Sequence, residues 1–110
     1  MLIGLSINAQ WSPIGPGGGI IKCFASSGTN IYAGTFGGGV FLTSNNGLLW
    51  APVNSGLTNT DVQSLASTTN GTTVFAGTYG GGVFLSTNSG SSWTEVNTGL
   101  TNLQVAALAI

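Results

Sequence analysis

The sequence predicts an all-β protein assembled from four-stranded antiparallel meanders, and three observations carry that prediction. Within its segments the apolar pattern has a period of two, no stretch carries a helical stripe, and a unit of 43 residues returns along the chain. The repeat is the strongest of the three. Ala33-Gly34-Thr35-Phe36-Gly37-Gly38-Gly39-Val40-Phe41-Leu42 comes back as Ala76-Gly77-Thr78-Tyr79-Gly80-Gly81-Gly82-Val83-Phe84-Leu85, and Trp50 comes back as Trp93. Asn54-Ser55-Gly56-Leu57-Thr58-Asn59 returns as Asn97-Thr98-Gly99-Leu100-Thr101-Asn102. Between residues 33–66 and 76–109, 21 of 34 positions are identical. A partial third copy lies upstream: Trp11-Ser12-Pro13-Ile14 matches Trp50–Val53 at offset 39, and Ile21–Ala25 matches Val62–Ala66 at offset 41. Two small loop deletions account for both shifts.

Each element of the repeat follows from local composition. Val62–Ser67, Thr73–Thr78, Gly82–Thr87 and Ser92–Asn97 are short runs rich in Val, Phe, Thr or Trp, bounded by Gly, Asn or Ser, and read as strands A to D. Asn70-Gly71 is a turn dipeptide in which both residues tolerate positive φ, joining A to B. Gly80-Gly81-Gly82 turns B into C, and Asn88-Ser89-Gly90 turns C into D. Four short antiparallel strands in 40–45 residues are the pattern of a propeller blade. The expected architecture is therefore a partial β-propeller over residues 11–110, about two and a half repeats of an incomplete ring. Blade repeats cover about 20–59 and 62–102, flanked by single strands at 11–14 and 104–110. In such a meander the A–B and C–D turns share one face of the disc, and the B–C turns and D–A connections share the other.

Charge is nearly absent. Lys22, Asp61 and Glu95 are the charged side chains among 110 residues, with no Arg and no His. A net charge of −1 argues against nucleic acid, whose phosphates require several cations, and leaves no basic patch for an anionic membrane. Solubility falls to Asn, Ser, Thr and exposed backbone. Cys23 has no intrachain partner, and its equivalents Ser64 and Ala107 are small, so the position reads as a packing site. Residues 1–10, Met1-Leu2-Ile3-Gly4-Leu5-Ser6-Ile7-Asn8-Ala9-Gln10, match nothing that precedes Trp50 or Trp93. They read as the tail of a signal peptide, too short to span a bilayer, which places the protein in a secreted or cell-surface setting, with the periplasm as an alternative.

Thr43-Ser44-Asn45-Asn46-Gly47-Leu48-Leu49-Trp50 and Ser86-Thr87-Asn88-Ser89-Gly90-Ser91-Ser92-Trp93 resemble the Asp-box, or BNR repeat, of pattern Ser/Thr-x-Asp-x-Gly-x-Thr-Trp. That motif occurs in propellers of sialidases, some glycanases, sortilin-like receptors and photosystem II assembly factors. The resemblance implies structural hairpins built on Thr43, Asn45, Gly47 and Trp50, and again on Ser86, Asn88, Gly90 and Trp93. Asn replaces the Asp in both copies. It keeps the acceptor oxygen that can take backbone N–H groups and loses the charge.

Catalytic constellations are missing. A sialidase resemblance would imply an arginine triad, and this chain has no Arg. Glycoside hydrolysis needs two carboxyls across the scissile bond, and Asp61 and Glu95 fall on different parts of the blade. One Cys, no His and two isolated carboxylates cannot assemble a transition-metal site, so no cofactor is expected. The glycine runs lack the Lys and helix of a phosphate loop. Trp11, Trp50 and Trp93 could stack on sugars, but their place in the hairpin favours packing. The better binding candidates are Phe36 and Tyr79, expected on the same face as Thr58, Asn59, Thr101 and Asn102. Aromatics beside neutral amides and hydroxyls suit a neutral glycan or a protein surface, although the two rings could merely cap the inner core. The expectation is a secreted, non-catalytic propeller module presenting such a surface. The alternatives are a self-assembling subunit of an extracellular filament or ring and a fragment of a larger propeller glycoside hydrolase. Its expected partners are accordingly other copies of itself or further propeller repeats.

Overall fold

The computed structural model describes residues 20–100, 102–105, 107 and 108; the segment 1–10 and the strand expected at 11–14, with Trp11, lie outside these described residues. Eight strands in this range form two four-stranded antiparallel sheets, each ordered as in the sequence. The first holds β1 (Ile21–Ser27), β2 (Asn30–Thr35), β3 (Gly39–Thr43) and β4 (Ala51–Pro52). The second holds β5 (Val62–Ser67), β6 (Val74–Thr78), β7 (Gly82–Ser86) and β8 (Thr94–Glu95). These are two successive propeller blades. Equivalent strands carry the same register: Thr35 pairs with Gly39 as Thr78 pairs with Gly82, and Ile21/Cys23 and Val62/Ser64 mark the same irregularity.

The A–B turns explain the shift of the repeat offset from 41 to 43. Ser27 pairs with Asn30 around a two-residue loop whose first residue, Gly28, has φ +61°. In the second blade the loop is two residues longer, closed by the Thr68 N–H donating to the Thr73 carbonyl at 3.0 Å. Here the expected turn chemistry needs correction. Gly71 takes positive φ, but Asn70 does not; its side chain instead accepts the N–H groups of Thr72 and Thr73 at 2.9 and 3.1 Å. A four-residue loop has room for this Asx turn, which a two-residue hairpin lacks. Strand D is also shorter than its composition suggests. The ladder covers Thr94–Glu95, Val96 N–H still donates to the Val83 carbonyl, and then the Asn97 side chain takes over.

The final segment begins as the next repeat. Gln104 bridges Tyr79, while residues 105, 107 and 108 are outside any strand. Of the strand expected over 104–110, the described residues show the Gln104 bridge and the Val105 N–H donating to the Thr78 carbonyl at 2.9 Å.

Both faces of each sheet are apolar. Tyr32, Val40 and Leu57 pack against Val62, Leu65, Val74, Ala76, Phe84 and Trp93, forming the core between the blades. Ile31, Ala33, Phe41 and Trp50 make a second buried group on the opposite face of the first sheet. The blades approach most closely at a glycine. A Cβ on Gly34 would stand 2.7 Å from Val62 Cγ1 and 2.5 Å from Cys23 Sγ, and a Cβ on Gly77 would meet Val105 and Ser64 in the same way. Polar bonds then fix the blades in register. The Trp93 indole N–H donates to the Val53 carbonyl at 2.7 Å, and its backbone N–H donates to the Ser55 carbonyl at 2.9 Å. Beside the A–B turns the Ser27 hydroxyl donates to the Thr68 carbonyl and the Ser67 hydroxyl to that of Ser26, at 2.6 and 2.9 Å.

Two predictions follow from this packing. Gly34→Ala should destabilise the chain by about 1–3 kcal/mol in denaturant titration, since the added methyl has nowhere to go without parting the blades. The Tyr32 hydroxyl is buried in the interblade core without a hydrogen-bond partner among the described residues, and the equivalent residue of the second blade is Phe75. Tyr32→Phe should therefore hold stability constant or raise it by about 1 kcal/mol, and a loss of more than that would show that the hydroxyl is satisfied.

Candidate functional site

Phe36 and Tyr79 stand immediately after β2 and β6, at the start of the B–C turns. Those turns close on themselves. The Thr35 hydroxyl donates to the Gly39 carbonyl at 2.9 Å and accepts the Gly38 N–H at 3.0 Å, and Thr78 makes the same pair of bonds with Gly82 and Gly81. Each turn is also held by the incoming connection of the next repeat. Gly37 and Gly39 both donate to the Thr60 carbonyl, and Gly80 and Gly82 both donate to that of Leu103. The backbone is thus satisfied without the aromatic rings, which project outward. Phe36 is 53% exposed and Tyr79 is 55% exposed. The Lys22 ammonium lies 5.6 Å from the centre of the Phe36 ring, a cation–π distance.

Of the other expected contact residues, Thr58 is exposed and Thr101 lies outside the described residues. Asn59 sits beside Tyr79, but its amide is committed to backbone. Its Oδ1 accepts the Asp61 N–H at 2.9 Å and its Nδ2 donates to the Tyr79 carbonyl at 3.0 Å. Asn102 begins the same pattern, accepting the Gln104 N–H at 2.9 Å. Asn59 therefore fixes Tyr79 in place across the blade boundary.

Two positioning residues escaped the sequence reading. Asn54 Oδ1 accepts the Val40 N–H at 2.7 Å while its Nδ2 donates to the Gly38 carbonyl at 3.1 Å. Asn97 repeats this with Val83 and Gly81 at 2.8 and 3.0 Å. They pin the B–C turns from behind. Gly39 and Gly82, at φ +78° and +79°, leave room for those amides. The signal was visible as an Asn recurring in the repeat, but nothing in the sequence says which turn it reaches.

The C–D hairpins occupy the opposite face of the disc. Asn45 Oδ1 accepts the Leu49 N–H at 3.0 Å and the Thr43 hydroxyl at 2.8 Å, and Thr43 Oγ1 accepts the Gly47 N–H at 3.0 Å. Asn88, Ser86, Gly90 and Ser92 reproduce the arrangement at 2.8–2.9 Å. Positive φ falls on Gly47 and Gly90 and also on the preceding Asn46 and Ser89. Trp50 and Trp93 close the hairpins with buried rings, so neither offers a stacking platform.

Acid–base geometry is unfavourable. Glu95 lies on β8 and Asp61 precedes β5, at opposite edges of one sheet. Three strand spacings put them roughly 14 Å apart laterally, against the ~5–9.5 Å of a glycosidase carboxyl pair. The Asp61 carboxylate accepts the Gln63 amide at 2.7 Å. Among the described residues, no three His, Cys, Asp or Glu side chains gather as a metal site, and no helix is long and apolar enough to cross a membrane.

Neither a protein-family model nor a curated protein matches this chain. Among solved structures it is similar to the crystal structure of an ancestral GH74 enzyme, with a TM-score of 0.66 and 25% sequence identity over 86% of the chain. The chain spans 12% of that enzyme's length. Fold and likeness together define the class: these are blades of a β-propeller.

The thiol provides a test of the packing beside this face. Burial pushes the Cys23 pKa up to about 11, against opposing contributions from a Gly34 backbone hydrogen bond and the Lys22 charge. Alkylation of the native chain at pH 8 should be about a hundredfold slower than after unfolding, and its rate should keep rising past pH 9. Because the unfolded chain releases this proton first, stability contributed by the group is intact below pH 9 and lost as pH climbs towards 11. Cys23→Ser should remove that part of the alkaline loss.

Proposed function

We propose that the chain is a two-blade stretch of a larger propeller of the glycoside hydrolase kind, and that it contributes glycan contact rather than acid–base chemistry. The observation that carries this reading is the likeness to the GH74 enzyme, which takes in most of this chain and a small part of that one. The separation of Asp61 from Glu95 supports assigning proton transfer to residues elsewhere in such a propeller. The outward rings of Phe36 and Tyr79, one repeat apart on one face, supply apolar platforms for neutral sugar rings, with Thr58 as a neighbouring hydroxyl. The bonding of the Asn45 and Asn88 turns supports reading them as Asp-box hairpins in which Asn serves as the acceptor. A glycan-facing propeller with almost no charge fits a protein exported from the cell.

Calorimetric titration with neutral β-glucan oligosaccharides tests the glycan reading. Phe36→Ala and Tyr79→Ala should each weaken binding roughly tenfold, about 1.4 kcal/mol, with little change in melting temperature because both rings are more than half exposed. Binding that survives the double substitution would remove the aromatic face from the account. Sugar release by the isolated chain that vanishes with Asp61→Asn or Glu95→Gln would overturn the non-catalytic part.

A further inference from the structure

The two blades match in sequence but not in burial. Leu57 is 5% exposed, whereas Leu100, at the same place in the next repeat, is 40% exposed. Tyr32 and Val40 are fully buried; Phe75 and Val83, their counterparts, are half-buried. Val53 is half-buried and its counterpart Val96 is exposed. In the first blade these residues are covered by the second, chiefly by Val62, Val74, Phe84 and Trp93. The glycines agree. A Cβ on Gly56 would fall on the Trp93 carbonyl, while one on Gly99, at the same φ of +85°, would meet nothing within 4 Å among the described residues.

The hydrogen bonds show the same asymmetry. Trp93 donates to the Val53 and Ser55 carbonyls, yet the corresponding Val96 and Thr98 carbonyls receive no such bonds among the described residues. Asn59 uses Oδ1 within its own connection and Nδ2 across the blade boundary; Asn102 makes the first bond, and its Nδ2 has no partner among the described residues. One part of the seat is already filled. Val105 lies over Gly77 as Val62 lies over Gly34.

We propose that the outer face of the second sheet is a preformed seat for a further sheet of this same repeat, with a Trp-bearing hairpin over Gly99 and Leu100. The established interface specifies the occupant. It needs an indole N–H to reach the Val96 carbonyl, a backbone N–H for the Thr98 carbonyl, a turn carbonyl for Asn102 Nδ2, and small or β-branched residues against Phe75 and Val83. A second copy of the chain does not meet this description, because Ile31, Ala33, Phe41 and Trp50, which would have to face the seat, are already buried. The occupant is a third blade that continues from the Val105 segment. The inference rests on reading the chain as part of a larger propeller, but not on glycan contact, and its test contains no sugar; either can fail while the other stands.

Appending a copy of residues 68–110 after Ile110 keeps the 43-residue register unbroken and supplies the missing strands. The extended chain should melt roughly 5–10 °C higher than the 110-residue chain. In a Cys23→Ser background, the thiol introduced by Leu100→Cys should label readily in the 110-residue chain and roughly tenfold more slowly in the extended one. Leu100→Asp should leave the shorter chain unchanged and cancel the gain in the longer one. An extended chain that melts no higher or fails to fold, a thiol labelled equally in both, or an Asp substitution that destabilises both chains alike would overturn the proposal.

Discussion

A sheet that is apolar on both faces must be covered on both, and this constraint organises the whole molecule. Two-layer proteins meet it by exposing one polar face per sheet, which gives strands that alternate between apolar and polar residues. Here both faces of β2 and β3 carry buried side chains: Ile31, Ala33 and Phe41 on one, Tyr32 and Val40 on the other. Such a sheet is stable only between neighbours. The glycines at 34 and 77 follow from it, because strand A of the next blade must lie almost on the backbone of strand B for the sheets to nest. A side chain there would hold the blades apart and leave the Tyr32, Val62 and Phe84 region underpacked.

Where the faces are covered only the rims meet water, and the rims explain how a chain with three charged side chains folds specifically. Their backbone groups are satisfied by neutral oxygens and amides on short side chains. Thr35 and Thr78 close the B–C turns, Asn54 and Asn97 pin them, and Thr43, Asn45, Ser86 and Asn88 close the C–D turns. A carboxylate could accept the same N–H groups, but Asn54 and Asn97 must also donate to a carbonyl, which an ionised Asp cannot do. Asn is therefore required at those two places, and at Asn45 and Asn88 it preserves the acceptor while keeping the rim uncharged.

The blade was legible because its signals are local. Glycine-bounded β-branched runs at a fixed period gave the strands nearly residue by residue: Val62–Ser67 was expected and observed, and Thr73 was lost from strand B by one position. Turn chemistry was legible where one side chain acts within its own turn, as at Thr43 and Asn45. It failed where loop length decides the conformation, as at Asn70, whose side chain rather than its backbone makes the turn. The candidate contact face was only half legible. Phe36 and Tyr79 lie at a strand end and could be placed by topology, while the roles of Asn54, Asn59 and Asn97 depend on bonds spanning 14 to 20 residues.

The two copies of the repeat also compare a position under structural demand with one under none. Most positions that differ between 33–66 and 76–109 are exposed in both copies, and many of these change chemical character: Leu48 and Leu49 become Ser91 and Ser92, and Ala51 and Pro52 become Thr94 and Glu95. Thr43 and Ser86 are buried and differ, but both keep the hydroxyl on which their turns depend. Exposed Ser44/Thr87 and Ser55/Thr98 stay hydroxylic, which costs nothing in water. Phe36/Tyr79 is the exception of a different kind. An aromatic ring more than half in solvent gains little from burial, and the B–C turn closes through Thr35 or Thr78 without it. The turn itself does not require a large ring in either copy, and the proposed contact with sugar rings would.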